Sequence, residues 1–351
     1  MIRTAIIGAG SLGTILGALM AKCGKQVDLY DSSKEQVEVL NMKGATITGC
    51  LELNVPVNAF TTEQLTGQYD IMFLLTKQTS NHIVLPQILP HLHKDGVVCT
   101  LQNGIPEEEV ASYVGRERTI GGAVGFGATL IKPGVSELTS TPEALQKFAF
   151  GISEIDGVLR PRLNQVKEYL DCIGKTEILT KLMGIRWTKI LMTATFSGMS
   201  AALGCMYGSV LYDPKAMTCV AYIADECIKV IHAQRIKLVE MQGEDMAFFE
   251  LKSAADIQNK MPLYKKIWEQ HVRVKASMLQ DLEKGRHSEI DYINGIICRK
   301  GREYGVPTPF NDKIVELVNE AQNERSINIF DSLSRFDELI EEYAKDVAVI
   351  L

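Results

Sequence analysis

Short apolar runs alternate with amphipathic stretches throughout the first half of the chain. The clearest runs are residues 4–8, 27–31, 69–76 and 96–101, and each ends in glycine or a polar residue or is followed by one. Runs of this length predict buried strands, and the stretches between them predict helices. Because strands that alternate with helices build a parallel sheet covered on both faces, we predict a doubly wound α/β fold with ligands at the carboxyl ends of its strands. Further short strands are predicted within residues 45–57, 119–130, 147–151 and 177–179.

The pattern changes near residue 181, where the strand-like alternation ends. Ser288, with Asp291 three residues later, is predicted to begin a helix that Gly305 ends. We therefore predict two domains, residues 1–180 with the doubly wound sheet and residues 181–351 with helices alone. The helical patterns of the second domain cover residues 185–203, 214–234, 256–280, 288–304 and 311–324.

The first apolar run leads into a glycine-rich turn and then an Ala/Leu-rich helix. The turn consists of Gly8, Ala9, Gly10, Ser11, Leu12 and Gly13. In this setting the first glycine makes the tight turn, the second lets the backbone approach a pyrophosphate, and the third lets the helix pack close to the strand. Asp31 ends the next strand, 18 residues after the last glycine, where a carboxylate can accept hydrogen bonds from ribose hydroxyls. The stretch predicts a dinucleotide-binding site at a helix N-terminus.

Composition excludes several classes of function. The 351 residues are 46% hydrophobic and 23% charged, with a net charge of −6, so the chain lacks the basic surface that nucleic acid requires. The eight cysteines form no Cys-x-x-Cys and no metal-ligand spacing with the six histidines, so we expect buried, reduced thiols in a cytoplasmic protein and no metal site. Residues 4–21 and 190–212 carry no charge, but their glycines and hydroxyl side chains favour burial against protein over a membrane.

Lys189 is the candidate proton donor. A nicotinamide enzyme that reduces a ketone needs a donor for the developing alkoxide and further groups that orient the substrate. Thr193 and Ser197 follow Lys189 at four-residue spacing, so the three side chains share one face of the predicted helix. Burial would lower the pKa of this lysine towards neutrality. The alternative is a lysine that reaches solvent from a buried helix and has no catalytic role.

A second polar group lies later in the chain. Ser277 and Asp281 share a helical face, and Glu289 lies in the first turn of the next predicted helix. Carboxylates at a helix start commonly interact with the helix dipole, so spacing alone favours that role for Glu289.

Four motifs follow one another along the chain: the glycine turn, Leu101-Gln-Asn-Gly104, Trp187-x-Lys189, and Ser277-Met-Leu-Gln-Asp281 ahead of Glu289-Ile-Asp-Tyr-Ile-Asn-Gly295. In order and spacing they resemble the motifs of the ketopantoate reductase (2-dehydropantoate 2-reductase) family. The resemblance implies a Rossmann domain followed by an all-α domain like the C-terminal domain of 6-phosphogluconate dehydrogenase. It also implies reduction of ketopantoate to pantoate by NAD(P)H in pantothenate biosynthesis.

The resemblance implies cofactor contacts by the glycine turn, Lys77 and Asn103, and it places Ala128 near the cofactor. Family members usually bind NADPH, with an arginine near the end of the second strand for the 2′-phosphate. Here Asp31 stands at that place, where it would repel a phosphate and accept a hydrogen bond from a free 2′-hydroxyl. NADH is therefore favoured, and Lys34 is the nearby cation that would restore NADPH binding.

For the substrate, the resemblance implies that Lys189 is the general acid and that Glu289 contacts the cofactor or positions Lys189. The family usually has asparagines four and eight residues after this lysine, where they hold the substrate's hydroxyl and carboxylate. Here Thr193 and Ser197 replace them, which predicts a rearranged pocket or a different 2-oxo acid. The implied substrate-binding residues are Asn103, Lys189, Thr193, Ser197 and Ser277.

We therefore predict an oxidoreductase that transfers hydride from NAD(P)H to a small branched 2-oxo acid. Ketopantoate is the favoured substrate. Two alternatives stay open: a reductase of another small 2-oxo acid, and a catalytically inactive dinucleotide-binding sensor. The expected partner is the small-molecule substrate, and neither nucleic acid nor a membrane. A homodimer is also expected, with residues 238–267 and the charged C-terminal tail as candidate contacts.

Overall fold

The computed structural model describes residues 2–240, 243–253 and 255–349. The chain divides into two compact units, residues 1–182 and residues 183–351. Residues 241, 242 and 254 of the candidate dimer contact, and the last two residues of the tail, lie outside the described residues. Within the described part, no helix combines the length and the apolar character that a membrane span requires.

Strands and helices alternate along the N-terminal unit. The strands are β1 (Thr4–Ile7), β2 (Val27–Asp31), β3 (Ala45–Gly49), β4 (Leu53–Val55), β5 (Asn58–Thr61), β6 (Tyr69–Leu74), β7 (Leu92–Thr100), β8 (Thr119–Val124), β9 (Ala128–Lys132), β10 (Val135–Leu138), β11 (Phe150–Glu154) and β12 (Thr176–Ile178). The helices are α1 (Ser11–Lys22), α2 (Lys34–Lys43), α3 (Asn81–Ile88), α4 (Glu107–Val114), α5 (Pro142–Lys147) and α6 (Arg162–Leu170).

Eight strands form one sheet in the order β12-β11-β8-β7-β6-β1-β2-β5. Neighbours from β5 to β8 in this order run parallel, and β11 pairs antiparallel with β8. Because β2 and β6 flank β1 on opposite sides, the strand order reverses at β1, and such a switch point is where doubly wound sheets bind ligands. The predicted doubly wound α/β fold is confirmed.

A smaller sheet, β4-β3-β10-β9, covers the outer side of α1. Helix α1 is thereby buried between two sheets, and the side chains Leu16, Leu29 and Ile47 share one core. The strand predicted at residues 147–151 is displaced, because Thr141 caps α5 by accepting a hydrogen bond from the Ala144 N–H at 3.3 Å. Residue 147 therefore ends a helix, and β11 begins three residues later.

The C-terminal unit is helical, as predicted. The prediction of one helix over 256–280 is wrong, because the chain leaves the helix after Trp268 and resumes at Ser277. The backbone N–H groups of Tyr207 and Gly208 donate to the carbonyls of Val274 and Val272. Because these carbonyls are engaged there, the segment between Trp268 and Ser277 does not continue the α-helix. The α-helices are α7 (Leu182–Leu203), α8 (Tyr207–Tyr212), α9 (Pro214–Ala233), α10 (Asp256–Trp268), α11 (Ser277–Glu283), α12 (Asn294–Tyr304), α13 (Pro309–Glu324) and α14 (Asp337–Val349).

The predicted start of a helix at Ser288 is also wrong. Its side chain donates to the Gln322 carboxamide oxygen at 3.2 Å and accepts from the Ile290 N–H at 3.4 Å. A single 3-10 turn follows at Ile290–Tyr292, and α12 begins at Asn294. The end of α12 is as predicted, with Gly305 in the left-handed conformation at φ +70°.

Candidate active site

The glycine turn joins β1 to α1 at the switch point of the large sheet. Gly8 has φ +101°, and a Cβ there would lie 2.8 Å from the Thr76 backbone nitrogen. A Cβ on Gly13 would lie 2.1 Å from the Gly8 carbonyl oxygen, so α1 can approach β1 only without a side chain. A Cβ on Gly10 meets no heavy atom within 4 Å among the described residues. The first and third glycines therefore serve the protein's own packing, and the second leaves open space at the start of α1, as a pyrophosphate needs.

A buried glutamine on α2 holds this turn in shape. The Gln36 carboxamide donates to the Ala9 carbonyl at 2.6 Å and to the Thr14 hydroxyl at 3.1 Å, and its oxygen accepts from the Gly134 N–H at 2.8 Å. Thr14 in turn donates to the same Ala9 carbonyl at 3.0 Å. Sequence reasoning missed Gln36, because its partners lie up to 98 residues away and no local pattern marks it.

Asp31 ends β2, next to the strand that carries the glycine turn. Its carboxylate accepts a hydrogen bond from the Ser33 N–H at 2.9 Å, which fixes it at the carboxyl end of the sheet. Burial raises the pKa of Asp31, and the backbone N–H groups of Ser33, Ala9 and Ser32 oppose that rise. Lys34 begins α2. The pKa of Glu63 is lowered mainly by a hydrogen bond with the Thr61 side chain, and the charge of Lys34 adds a smaller effect in the same direction.

The loops after β6 and β7 carry Lys77 and Asn103. The Gln102 carboxamide donates to the Thr76 carbonyl at 2.8 Å, and the Gln78 carboxamide donates to the Asn103 carbonyl. These two crossed bonds tie the loops together, so Lys77 and Asn103 lie at one edge of the sheet. Sequence reasoning assigned both site residues but missed the two glutamines that position them.

Ala128 lies elsewhere in the N-terminal unit. It is the first residue of β9 in the smaller sheet, where it pairs with Leu138 on β10. Its assignment to the cofactor site rests on the family resemblance and has no further support from its position in the sheet.

Lys189 lies in the second turn of α7, in the C-terminal unit. Its pKa is lowered to about 8, chiefly by burial and also by the positive charge of Arg186, while the carboxylate of Glu289 acts in the opposite direction. Arg186 and Glu289 are both buried, with 1% and 9% of their surfaces exposed. A lysine with this pKa is protonated at neutral pH and can give up its proton at small cost, which suits a general acid.

Thr193 and Ser197 share the helical face of Lys189, but their hydroxyls already have partners. The Thr193 hydroxyl donates to the Lys189 carbonyl at 2.6 Å, one helical turn back. The Ser197 hydroxyl is hydrogen-bonded to the Tyr207 hydroxyl. Sequence reasoning missed Tyr207, since a tyrosine at the start of a short helix gives no signal of a partner ten residues earlier.

Ser277 and Glu289 lie on separate segments of the C-terminal unit. Ser277 is the exposed first residue of α11, and Glu289 immediately precedes the 3-10 turn Ile290–Tyr292. Glu289 is therefore not in the first turn of an α-helix, and its electrostatic effect on Lys189 gives it a different role from the one that spacing alone favours.

A buried polar network holds these segments in place. The carboxyl oxygens of Glu226 on α9 accept hydrogen bonds from the backbone N–H groups of Phe310 and Asn311, both at 2.9 Å, and from the Asn311 carboxamide at 2.7 Å. The Asn294 carboxamide donates to the Asn311 side-chain oxygen at 3.0 Å and to the Ala194 carbonyl at 3.1 Å. Burial raises the pKa of Glu226 to about 8. The network links the starts of α12 and α13 to the α7 turn that follows Lys189.

The described residues contain no group of three or more histidine, cysteine, aspartate or glutamate side chains that could hold a metal ion. All eight cysteines are free thiols, and the expectation of burial is wrong for Cys23 and Cys50, which are exposed. The arrangement instead provides an open helix N-terminus for a pyrophosphate in one unit and an acid of lowered pKa in the other. Those are the elements that hydride transfer to a carbonyl requires.

Two family models match the chain, one for each unit. The model described as ketopantoate reductase PanE/ApbA matches residues 4–148, and the model of the C-terminal part of the same family matches residues 181–322. The 2-dehydropantoate 2-reductase of Archaeoglobus fulgidus is 27% identical over 92% of this chain and 98% of its own length. The 2-dehydropantoate 2-reductase of Pyrococcus horikoshii is 28% identical over 91% of this chain and 97% of its own length.

Solved structures show the same fold. A D-mandelate dehydrogenase in ternary complex with NADH and anilino(oxo)acetate is 25% identical, with a TM-score of 0.77 over 92% of this chain and 99% of its own. A PanE/ApbA family ketopantoate reductase from Ralstonia eutropha is 22% identical, with a TM-score of 0.78 over the same shares.

Proposed function

Because this chain belongs to the ketopantoate reductase family, we propose that it reduces a small 2-oxo acid to the 2-hydroxy acid, with ketopantoate as substrate and pantoate as product. The observation that carries the proposal is Lys189, whose pKa burial lowers to about 8 and on which the Glu289 carboxylate acts. This pair supplies an acid for the carbonyl oxygen, in a chain whose other unit has a dinucleotide-binding turn. The family's activity, the reduction of ketopantoate to pantoate, is then the activity of this chain.

When bound, a nicotinamide dinucleotide would supply a hydride to the keto carbon, and negative charge would develop on the keto oxygen. The Lys189 ammonium stabilises the developing negative charge and donates its proton to that oxygen. Glu289 favours the protonated form of Lys189, because its charge opposes the effect of burial on the pKa. Asn103, Thr193, Ser197 and Ser277 orient the substrate in this proposal.

NADH is the proposed cofactor. Asp31 is fixed at the carboxyl end of β2 by the Ser33 N–H, where its charge would repel a 2′-phosphate and its oxygens would accept from a 2′-hydroxyl. The glycine turn, Lys77 and Asn103 are proposed to hold the rest of the dinucleotide, as is Ala128 on the resemblance alone.

The test is steady-state oxidation of NADH and of NADPH, each with ketopantoate, in the same buffer. Turnover with NADH preferred is expected. Preference for NADPH would leave the reductase intact and contradict the role of Asp31. Dinucleotide binding without turnover of any 2-oxo acid would contradict the proposed activity and favour a redox sensor.

A second candidate is a reductase of a bulkier 2-oxo acid. Thr193 uses its hydroxyl hydrogen on the Lys189 carbonyl, so it has a methyl group and a lone pair left for a ligand. The similar D-mandelate dehydrogenase binds NADH and anilino(oxo)acetate, an aromatic 2-oxo acid derivative. Comparing kcat/KM for ketopantoate and for phenylglyoxylate separates the two candidates.

The proposed setting is a cytoplasmic homodimer. Eight free thiols fit a reducing compartment. Light scattering coupled to size-exclusion chromatography tests the dimer, for which a mass twice the 38.9 kDa of the chain is expected.

A further inference from the structure

Two cysteines meet where the C-terminal ends of α1 and α6 lie close together in the N-terminal unit. Cys23 directly follows α1, and Cys172 lies two residues after the end of α6. Although 149 positions separate them in the sequence, the Cys23 thiol donates to the Cys172 carbonyl, with its sulfur 4.0 Å from the oxygen. We call these two residues the thiol pair. Cys23 is exposed and Cys172 is half-buried, so a small solute can reach the pair from the surface.

The two thiols also interact with each other. Burial and a hydrogen bond with the Cys23 thiol raise the pKa of Cys172 to about 12. The Cys172 thiol donates to the Glu168 carbonyl at 3.7 Å, one helical turn back. Both cysteines lie just beyond the last turn of a helix, and helix ends fray. Small movements at these ends can therefore bring the two sulfur atoms to the length of a disulfide bond, about 2.05 Å.

Lys25 supplies a positive charge beside the thiol pair. Its ammonium forms an ion pair with the Glu168 carboxylate and lies 4.9 Å from the centre of the Tyr169 ring. The charge of Lys25 opposes the rise in the pKa of Cys172. Because the thiolate is the nucleophile in thiol chemistry, a neighbouring cation favours the reactive form. An exposed thiol with a second thiol and a cation beside it is the arrangement that reversible oxidation requires.

We propose that Cys23 and Cys172 are a site of reversible oxidation, where a peroxide converts the thiol pair into a disulfide bond that joins α1 to α6. The 12 residues of α1 separate the pair from the glycine turn by about 18 Å, so this site is distinct from the proposed dinucleotide site. The inference does not depend on the proposed reductase function.

Cys23 reacts first, because its thiol is the exposed one. Its thiolate sulfur attacks one oxygen of hydrogen peroxide, the O–O bond breaks, and a sulfenic acid forms, while the departing hydroxide takes the thiol proton and becomes water. The Cys172 sulfur then attacks the Cys23 sulfur, the S–O bond breaks, and hydroxide leaves with the Cys172 proton as a second water. Two thiols are thereby oxidised to a disulfide, and a dithiol reductant reverses the reaction.

The test treats the fully reduced chain with hydrogen peroxide, alkylates the remaining thiols in denaturant and maps the peptides by mass spectrometry. The wild type is expected to lose two of its eight alkylatable thiols and to give a cross-linked peptide that contains Cys23 and Cys172. Its Tm should rise by about 5 °C or more, because the bond closes a long loop, and dithiothreitol should reverse the rise. Cys50→Ser removes another exposed thiol and is the matched control, with the same cross-link and the same rise expected.

Cys172→Ser separates the two steps of the oxidation. Cys23 should then stop at the sulfenic acid, which dimedone traps, and the Tm should not rise. Cys23→Ser should leave Cys172 reduced, because burial keeps its thiol protonated.

Absence of the Cys23–Cys172 cross-link in the wild type, or an equal rise in Tm in Cys23→Ser, would overturn the proposed site. A cross-link without a rise in Tm would overturn the stabilising link between α1 and α6. These readouts need no turnover of a 2-oxo acid, so they stand apart from any failure of the proposed function.

Discussion

The candidate sites of the two units differ in the groups that form them, which are mainly backbone in the glycine turn of the N-terminal unit and side chains in the C-terminal unit. In the N-terminal unit the proposed pyrophosphate site is main chain: Gly8, Gly10 and Gly13 shape a turn, and their lack of side chains gives each its role. In the C-terminal unit the proposed acid is a side chain: Lys189 is a half-buried titratable group whose pKa responds to burial and to the charges of Arg186 and Glu289. Substitutions in the first unit should therefore change packing and cofactor affinity, and those in the second should change the chemistry and its pH dependence.

Lys189→Ala should have the largest effect. Loss of the general acid is expected to lower kcat by on the order of 10²–10⁴-fold. The dissociation constant of the dinucleotide should stay within about twofold, since its proposed binding turn lies in the other unit. Stopped-flow turnover and fluorescence titration of NADH measure the two quantities. The control is Lys181→Ala, at an exposed lysine just before α7. A loss of dinucleotide affinity in Lys189→Ala as large as its loss of kcat would contradict the division of roles between the two units.

Gly13→Ala and Gly10→Ala should separate packing from ligand contact within one turn. A Cβ at position 13 would meet the Gly8 carbonyl oxygen at 2.1 Å, so Gly13→Ala is expected to lower the free energy of unfolding by about 1–3 kcal/mol. Gly10→Ala should fold with wild-type stability, because its Cβ meets no described atom within 4 Å, and should weaken NADH binding at least tenfold by filling the pyrophosphate space. Urea unfolding of the cofactor-free protein measures the stabilities, and titration with NADH measures the affinities. Equal losses of stability in Gly13→Ala and Gly10→Ala would contradict this prediction.

The pH dependence of kcat/KM should report Lys189. Reduction needs its protonated form, so kcat/KM should be level below pH 8 and should fall about tenfold per pH unit above the pKa of about 8. Glu289→Gln should move the break to lower pH, because the Glu289 charge raises the pKa of Lys189. Glu303→Gln, on the surface of α12, serves as the control. A break that stays in place in Glu289→Gln would show that Glu289 acts otherwise.

Asp31→Asn should have the smallest of these effects. Removing one negative charge at the ribose site is expected to raise the ratio of kcat/KM for NADPH over NADH about tenfold, which corresponds to about 1.4 kcal/mol. Glu38→Gln makes the same change in net charge at an exposed position of α2 and should leave the ratio unchanged. An unchanged ratio in Asp31→Asn would turn attention to Lys34.

The features that sequence predicted are those that local geometry determines. The glycine turn, the strands around it and the helix face of Lys189, Thr193 and Ser197 need only the spacing of residues along one segment. Helix 256–280 failed because the 272–274 backbone pairs with the start of α8, more than 60 residues earlier. Gln36 and Tyr207 were missed for the same reason, since a polar side chain shows its partner only after the chain has folded.

The Glu226 network has a consequence for how the chain matures on the ribosome. The N-terminal unit is complete once residue 182 has left the exit tunnel, and domains commonly fold in that order. Helix α9 cannot bury Glu226 so early, because the N–H groups that receive its carboxylate come 84 and 85 residues later. Until these residues emerge, the Glu226 carboxylate stays hydrated, and α9 cannot complete its packing. The unit that holds the acid can therefore close only after Phe310 and Asn311 have emerged, well after the N-terminal unit is complete.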